Sequence, residues 1–527
     1  MSEHTPHSIE RHGDVLVVGG SAAGLAAALQ LGRQRRSVMV VDAGEPRNAP
    51  AAAMHGFLGR DATPPSELIG VGREEVRSYG GEVLSGRVVE LTRHDRGFRA
   101  DLVGGHSVVA RHVVIATGIV DVLPDIDGVA DQWGRGVIHC PFCHGYEVRD
   151  RRIVQIVTHP MGLHSAPLFR QLSDRLTVVV HEPADIDRAD LDALDAAGVE
   201  IVERWVARVV TGPTGEISGV ELASGEVLDA DAVVVGPRFA AATAPFERVG
   251  VAAAPHPSGL GTAVEVDELG ATSVPGVWAA GNVTDPSQQV IQAAAAGARV
   301  GAMVAFALAQ EDLAADGRPS SNEVDWDRRY AGDRLWSGNP NGALVTELDG
   351  VAPGTALDVG SGEGGDAIWL AEQGWTVTAS DISTTALAVV AAEADRRGLP
   401  IECLHADANA IDAYGSRRFD LVSAHYASIP RTADDRGLHN LLDAVAPGGT
   451  LLVVSHDITP MRHPVDTTTV SRVFDPDAYL RVEDVEAVVR SSPSWTIEVH
   501  ETRPRPPGAA SAHHVDDVVL RARRHPR

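Results

Sequence analysis

The sequence predicts an α/β protein assembled from Rossmann-like units. Asp14-Val-Leu-Val-Val-Gly-Gly-Ser-Ala-Ala-Gly24 reads as an apolar strand running into a phosphate-binding turn and a helix. Leu357-Asp-Val-Gly-Ser-Gly-Glu-Gly364 reads the same way, with an acid just before its glycines. Between the two turns lies a close cysteine pair, Cys140-Pro141-Phe142-Cys143.

Length and composition fit that class. A chain of 527 residues should hold roughly three or four domains. The net charge is −27 and no Lys/Arg-rich block stands out, which argues against nucleic acid as a partner. Three cysteines are too few for a secreted disulfide framework, so the close pair points to catalysis or metal binding. Met1 to Asp14 is polar and His-rich, without the apolar run of a signal peptide. Val290 to Ala309 is the most apolar stretch, but Gln292 and Arg299 interrupt it and a buried helix is expected. No membrane partner and a cytoplasmic location are the expectations.

The first strand, Val15 to Val18, is continuously apolar, as a buried parallel strand should be. The turn Gly19, Gly20, Ser21, Ala22, Ala23, Gly24 opens a helix to Arg33, and a second strand from Ser37 to Val41 ends in Asp42. That acid stands about 20 residues past the turn, where a ribose hydroxyl pair is held. A second βαβ follows, with strands Arg152 to Val157 and Leu176 to Val180 around a helix near Ala166 to Leu172. Its turn, Thr158 to Ala166, lacks the glycines a pyrophosphate needs, and Pro160 removes a donor. Glu182 follows the next strand, where it would repel a 2′-phosphate. Gly276 to Asn282 and then Gln288 to Leu308 read as strand, turn and long helix. Leu313 to Asn322 is polar and reads as a linker, and βα alternation resumes from Asp325.

With those residues in place, the first three hundred or so resemble the low-molecular-weight thioredoxin reductase family of pyridine nucleotide-disulfide flavoenzymes. The resemblance rests on the Gly19–Gly24 turn, the Ala116-Thr117-Gly118 turn, the Cys-x-x-Cys and the Ala279-Ala-Gly281-Asn282 segment. It implies FAD, held in a discontinuous domain of residues 1–118 and 243–312. A NAD(P)-binding-like domain, 119–242, carries the redox pair and is inserted into it. Asn282 stands where the family usually has Asp, and His144 where it has an acidic proton donor. The string Cys-Pro-Phe-Cys-His-Gly-Tyr is similar to the gliotoxin- and holomycin-type dithiol oxidases, which pass electrons from small dithiols through flavin to oxygen.

From about Arg329 the chain resembles class I S-adenosylmethionine methyltransferases. Asp358, Gly360, Gly362 and Gly364 match the turn under the methionine, Asp381 the ribose acid, and Asp407-Ala408 the adenine-contacting pair. Arg334 to Asn341 is similar to tellurite-resistance and thiopurine-type methyltransferases, which act on soft nucleophiles. This domain is expected over 329–527, after a linker at 313–328.

A Cys-x-x-Cys at a helix N-terminus can lower a thiol pKa from about 8.5 into the 3.5–7.5 range. Cys140 is expected to exchange with substrate, and the resemblance gives Cys143 the transfer of electrons to flavin. His144 can take and return the thiol proton. The cysteines with His139 or His144 also make half a zinc site, but four ligands are needed and no second pair exists, so no metal is expected. Trp133 and Phe142 can line a pocket or pack in the core. His425, Tyr426 and His456 lie after strands, where an acceptor binds or a loop simply turns. Cys403 is expected as a small buried hydrophobe.

The resulting expectation is a homodimeric bifunctional enzyme. One half oxidises a small-molecule thiol to its disulfide with FAD. The other transfers a methyl from S-adenosylmethionine to an unidentified acceptor, a thiol or other soft nucleophile. Use of NAD(P)H is doubtful on the turn chemistry. The alternatives are an NAD(P)H-dependent disulfide reductase with an atypical turn, and a flavin redox sensor regulating the methyltransferase.

Overall fold

The computed structural model describes residues 8–181, 186–314, 320–332, 334–505 and 516–526. The predicted α/β class is what it contains. In the first unit the strand Glu10–Val18 lies at the centre of a seven-stranded sheet. It pairs in parallel with Val38–Asp42 and with Ser107–Ile115. The late strand Val277–Ala279 adds to the far side of Ser107–Ile115, so residues beyond the inserted unit complete this sheet. Helix Val290–Ala314 is long and apolar enough to cross a membrane by length and composition. Its buried residues belong to the core that covers this sheet. A Cβ on Gly297 would come within 1.9 Å of the Ala23 carbonyl, so only glycine lets this helix lie against Ala22–Arg33.

The first strand starts at Glu10, five residues earlier than its apolar run implies. Polar Arg11 and His12 are buried there because distant groups satisfy them. The His12 amide donates to Asp325 at 2.7 Å, and Arg11 pairs with Glu82 and Asp325.

The inserted unit is a five-stranded parallel sheet in the order Glu200–Glu203, Leu176–Val180, Ile153–Val157, Ala232–Val235, Val137–Ile138. The third unit has a seven-stranded sheet. Its five parallel strands run Ile401–His405, Thr376–Asp381, Thr355–Val359, Phe419–His425, Val445–His456, followed by antiparallel Asp516–Arg524 and Trp495–Pro504.

Two expectations need correction. The stretch read as a linker is largely helical: Val290–Ala314 enters it and Ser321–Tyr330 leaves it, while 315–319 lie outside the described residues. Ser320 caps the second helix by accepting from the Glu323 amide at 3.1 Å. Polarity here marks a helix whose acids are used on both sides. Cys403 is exposed rather than buried, because Ile401–His405 is the edge strand of its sheet.

Candidate functional sites

The first glycine turn is built for close approach. Gly19 has φ +110°, and a Cβ there would lie 2.3 Å from the Ala116 carbonyl, so this turn and Ala116-Thr117-Gly118 interlock. A Cβ on Gly20 would collide with the Asp42 side chain at 2.5 Å, and one on Gly24 with the Gly19 carbonyl at 1.8 Å. Ser21 is the extended residue before helix Ala22–Arg33, whose first amides face the turn. The Asp42 carboxylate accepts from Arg73 at 2.5 Å and from the Gly44 amide at 3.0 Å. Thr117 donates to the Ala242 carbonyl, and Gly118 has φ +69°. Gly281 packs on Ala23, where a Cβ would sit 2.7 Å from that residue's own. This cradle of backbone amides, small residues and a ribose-distance acid fits FAD. Asn282 is more committed than its sequence suggests. Its amide nitrogen donates to the carbonyls of Gln288, Asp285 and Pro286, so a ribityl contact falls to its oxygen.

Cys140 and Cys143 form a disulfide, with Cα atoms 5.2 Å apart. Cys140 is the N-cap of helix Pro141–His144, and its sulfur accepts from the Cys143 amide at 3.2 Å. That contact favours a thiolate at Cys140 once the bond is reduced. Burial pushes the His144 pKa down; Glu147 opposes this and His55 adds to it. His144 is therefore neutral near pH 7 and ready to accept a thiol proton. Next to the pair, His139 is stacked on Trp133 at 5.6 Å and edged by Phe239. Burial, aided by Arg47, lowers its pKa to about 4. Trp133 and His139 thus pack together as a wall, while Phe142 stands exposed between the cysteines.

The turn of the inserted βαβ is closed. The His159 imidazole lies 3.0 Å from the Gly236 carbonyl, and Gln155 donates to the Gly162 carbonyl at 2.7 Å. A Cβ on Gly236 would touch Gly162 Cα at 3.1 Å. Pro160–Leu163 forms a 3₁₀ turn where a dinucleotide fold presents open amides. Glu182 lies outside the described residues.

In the third unit Gly360, Gly362 and Gly364 all have positive φ, 67°, 52° and 86°. Asp381 knits this turn to the next helix: Gly362 and Ser383 amides each donate to it at 2.8 Å. Each oxygen keeps a lone pair for ribose hydroxyls. Asp407 accepts from the Asn409 amide at 2.8 Å, and the Ala408 carbonyl accepts from Asn440 at 2.7 Å. Asp358 is buried beneath the turn beside Asp366 and His425, one ligand-type atom of each lying within 4.8 Å of the others. Burial, then Asp366, raises the Asp358 pKa to about 7, against a lowering by His425. These residues fit S-adenosylmethionine: amides for its carboxylate, an acid for its ribose, and negative charge under its ammonium and sulfonium.

Sequence reasoning missed the cover of this turn. Tyr330 ends the helix Ser321–Tyr330, and its hydroxyl would lie 3.0 Å from a Cβ on Gly362. Trp336 Nε1 donates to that hydroxyl at 3.4 Å, and Glu363 accepts from the Leu335 and Trp336 amides. Asp327 accepts from Ser383 at 2.6 Å and from the Thr385 amide at 3.0 Å, capping the helix that follows Asp381. The Arg334–Asn341 string was the available signal, and Asn341 proves to hold Asp366 through two bonds.

Comparison with known proteins follows the same division. Residues 13–298 match the family model described as pyridine nucleotide-disulphide oxidoreductase, and residues 356–449 match one described as methyltransferase domain. Thioredoxin reductase sirT of Leptosphaeria maculans is 30% identical over 319 residues, covering 57% of this chain and 96% of its own. The crystal structure of HlmI is 39% identical at TM-score 0.54, over 60% of this chain and 98% of its own. An oxidoreductase from Agrobacterium tumefaciens is 32% identical at TM-score 0.53, over 57% and 99%.

Proposed function

Because the chain belongs to the pyridine nucleotide-disulphide oxidoreductase family and carries a methyltransferase domain after it, we propose an oxygen-using dithiol oxidase joined to a thiol methyltransferase. The observation that carries the oxidase reading is the turn at His159, Gly162 and Gly236, where the His159 ring lies on the Gly236 carbonyl and Pro160–Leu163 is wound into a 3₁₀ turn in place of a glycine-rich phosphate loop. Reducing equivalents then enter from a thiol substrate.

A substrate thiolate attacks one sulfur of the Cys140–Cys143 disulfide, and its second thiolate displaces the mixed disulfide. The substrate leaves as a disulfide and the protein pair is left reduced. The Cys143 amide stabilises charge on Cys140, and neutral His144 takes up a thiol proton. FAD, which the Gly19–Gly24 turn and Asp42 would hold, would supply an acceptor for the electron pair and a route to oxygen, with hydrogen peroxide as the product. In the other half the glycine turn and Asp381 hold S-adenosylmethionine. Methyl transfer to a thiolate needs alignment more than acid-base help, because the sulfonium is a good leaving group.

Parallel anaerobic titrations of the flavin with NADPH, NADH and dithiothreitol test the oxidase reading. Bleaching by the dithiol and not by either nucleotide is expected. Rapid, saturable bleaching by micromolar NADPH would return the chain to an ordinary disulfide reductase.

A further inference from the structure

A second titratable cluster stands behind the disulfide. Helix Pro141–His144 continues through Gly145, which keeps right-handed helical angles, into the 3₁₀ turn Tyr146–Val148. A Cβ on Gly145 would lie 2.2 Å from the Pro141 carbonyl and 2.5 Å from Leu172 Cδ1, so glycine is what lets this turn pass. The continuity sets His144 and Glu147 three residues apart on one helical face. A loop of the flavin-binding unit comes up to that face. Its base is closed by the Met54 amide on the Thr63 carbonyl at 2.9 Å and by the Ala62 amide on the Met54 carbonyl at 3.0 Å. Met54 is buried, the Gly56 amide donates to Asp61 at 2.9 Å, and Ala62 holds φ +62°. A residue other than glycine keeps that conformation where surrounding contacts hold it. The braced loop carries His55, with Nδ1 3.5 Å from Asp61 and Nε2 3.5 Å from Glu147.

Glu147 therefore stands between two imidazoles, His144 on its own turn and His55 from the other unit. Burial lowers the proton affinity of His144 most, Glu147 raises it, and His55 lowers it again. Among the described residues the His144 ring takes part in no hydrogen bond, which leaves it open to a thiol. His139, just before Cys140, also faces His144; burial and Arg47 lower its own pKa to about 4, so it is neutral at pH 7. Asp121 is paired with Arg47, and Asp61 serves His55 and the Gly56 amide. The carboxylate left to act on His144 is Glu147. Its side chain is 44% exposed, so water screens the interaction and keeps the effect moderate.

We propose that Glu147 is a positioning residue for the thiol step: it balances the imidazolium formed when His144 takes a thiol proton, while His55 shares its carboxylate and keeps His144 neutral at rest. The inference rests on reading His144 as the base of a dithiol reaction at Cys140–Cys143. The substrate S–H bond breaks and its proton goes to the imidazole. The freed sulfur pair forms a bond to one cysteine sulfur, the Cys140–Cys143 bond breaks, and its electron pair stays on the other cysteine. The imidazolium then gives its proton to the water that reaches Glu147, before the second thiol reacts. A nearby opposite charge favours the protonated ring, and removing it weakens the base.

The test follows the His144 ring directly. In protein labelled with carbon-13 at the imidazole Cε1, the resonance missing from His144→Asn identifies it. Its titration is recorded in the oxidised protein for wild type, Glu147→Gln and His55→Gln. Glu147→Gln should move the His144 midpoint to lower pH, and His55→Gln should move it to higher pH. Glu147→Asp keeps the charge and should titrate closer to wild type than Glu147→Gln does. Anaerobic bleaching of the flavin by dithiothreitol at pH 7 should slow roughly three- to tenfold in Glu147→Gln and at least about 100-fold in His144→Asn. Midpoints that stay put, or that move the same way in Glu147→Gln and His55→Gln, overturn the proposal. So does a Glu147→Asp that titrates like Glu147→Gln, which makes the contact structural. If His144→Asn is bleached as fast as wild type, the reading of His144 as the base fails first and the role of Glu147 falls with it.

Discussion

Arg11 and Asp325 form a buried ion pair, Nε to Oδ2 at 3.1 Å, that ties the first strand of the flavin half to the helix leading into the methyltransferase half. Glu82 completes the Arg11 fork at 2.6 Å, and the Val473 carbonyl takes a further bond. A second link runs alongside, where Asp475 accepts from Arg77 and from the Val83 amide at 2.8 and 2.9 Å. The same helix reaches the other way through Asp327 to the segment after Asp381. The two halves are therefore packed together, not strung on a flexible tether.

Removing one partner of a buried pair leaves the other uncompensated and costs roughly 3–5 kcal/mol. Asp325→Ala should lower stability by about that much. It should also bring flavin release to lower temperature. Flavin fluorescence and far-ultraviolet circular dichroism, followed in one thermal ramp, check this. Unchanged flavin release in the variant would show that the pair carries no stability across the junction.

Cys143→Ser should abolish bleaching of the flavin by dithiothreitol while leaving S-adenosylmethionine affinity as it was. The disulfide and the glycine turn at Gly362 stand on different sheets. Calorimetry on the oxidised and reduced wild type completes the comparison. A change in methyl transfer on reduction, absent from Cys143→Ser, would instead favour the redox-sensor reading.

His139 should make the protein acid-sensitive. Its folded pKa is lowered to about 4 from 6.5, chiefly by burial, so the unfolded chain binds the proton first. Stability from this residue is fully present above pH 6.5 and is lost as pH falls toward the folded value. By pH 5 the loss is about 2 kcal/mol. Urea unfolding at pH 7 and pH 5 measures it, and His139→Gln should flatten the difference. An unchanged pH dependence in that variant would place the sensitivity elsewhere.

Asp381→Ala should weaken S-adenosylmethionine binding by roughly 1.5–3 kcal/mol through the lost ribose contact. The Gly362 and Ser383 amides lose their acceptor as well. Asp381→Asn keeps one acceptor oxygen and should lose less. Calorimetry on both, with flavin absorbance as the control, separates the effects. Equal affinity in wild type and Asp381→Ala would mean the ribose acid is elsewhere.

What was legible in the sequence is what local chemistry dictates. The glycines at Gly19, Gly24, Gly360 and Gly364 must be glycine because a backbone or side-chain atom occupies the Cβ position or φ is positive. Such constraints print themselves as motifs. The disulfide turn was legible for the same reason. The strand at Arg11 and His12 was not, because its polar groups find partners more than three hundred residues away. The roles of Asp325 and Asp327 were not legible for that reason. Asp517 gave no signal: it joins Tyr426 and His456 only when an antiparallel strand returns beside Val445–His456.

The last prediction concerns a segment of the methyltransferase half that builds part of the flavin half. After strand Val445–His456 the chain crosses to the first sheet. Thr467 donates to the Ala43 carbonyl at 2.8 Å, directly after Asp42. The Arg472 amide donates to the Ser85 carbonyl at 2.8 Å, and Gly86 leaves room for Ser471, which a Cβ would meet at 2.6 Å. Val473 is buried in the same apolar cluster as Leu16, Met39 and Leu84. A chain ending at Ala314 would lose that side chain and expose Arg11 and Glu82 without Asp325. It would also uncover the loop on the ribose side of Asp42, where the adenosine end of a dinucleotide extends. The shortened chain should therefore melt below the full protein and release FAD more readily on dilution. Adding S-adenosylmethionine should raise the melting temperature of the full chain only, because binding stabilises the state that holds the ligand. Equal flavin retention by both would show that Thr467 to Val473 merely rests on this surface.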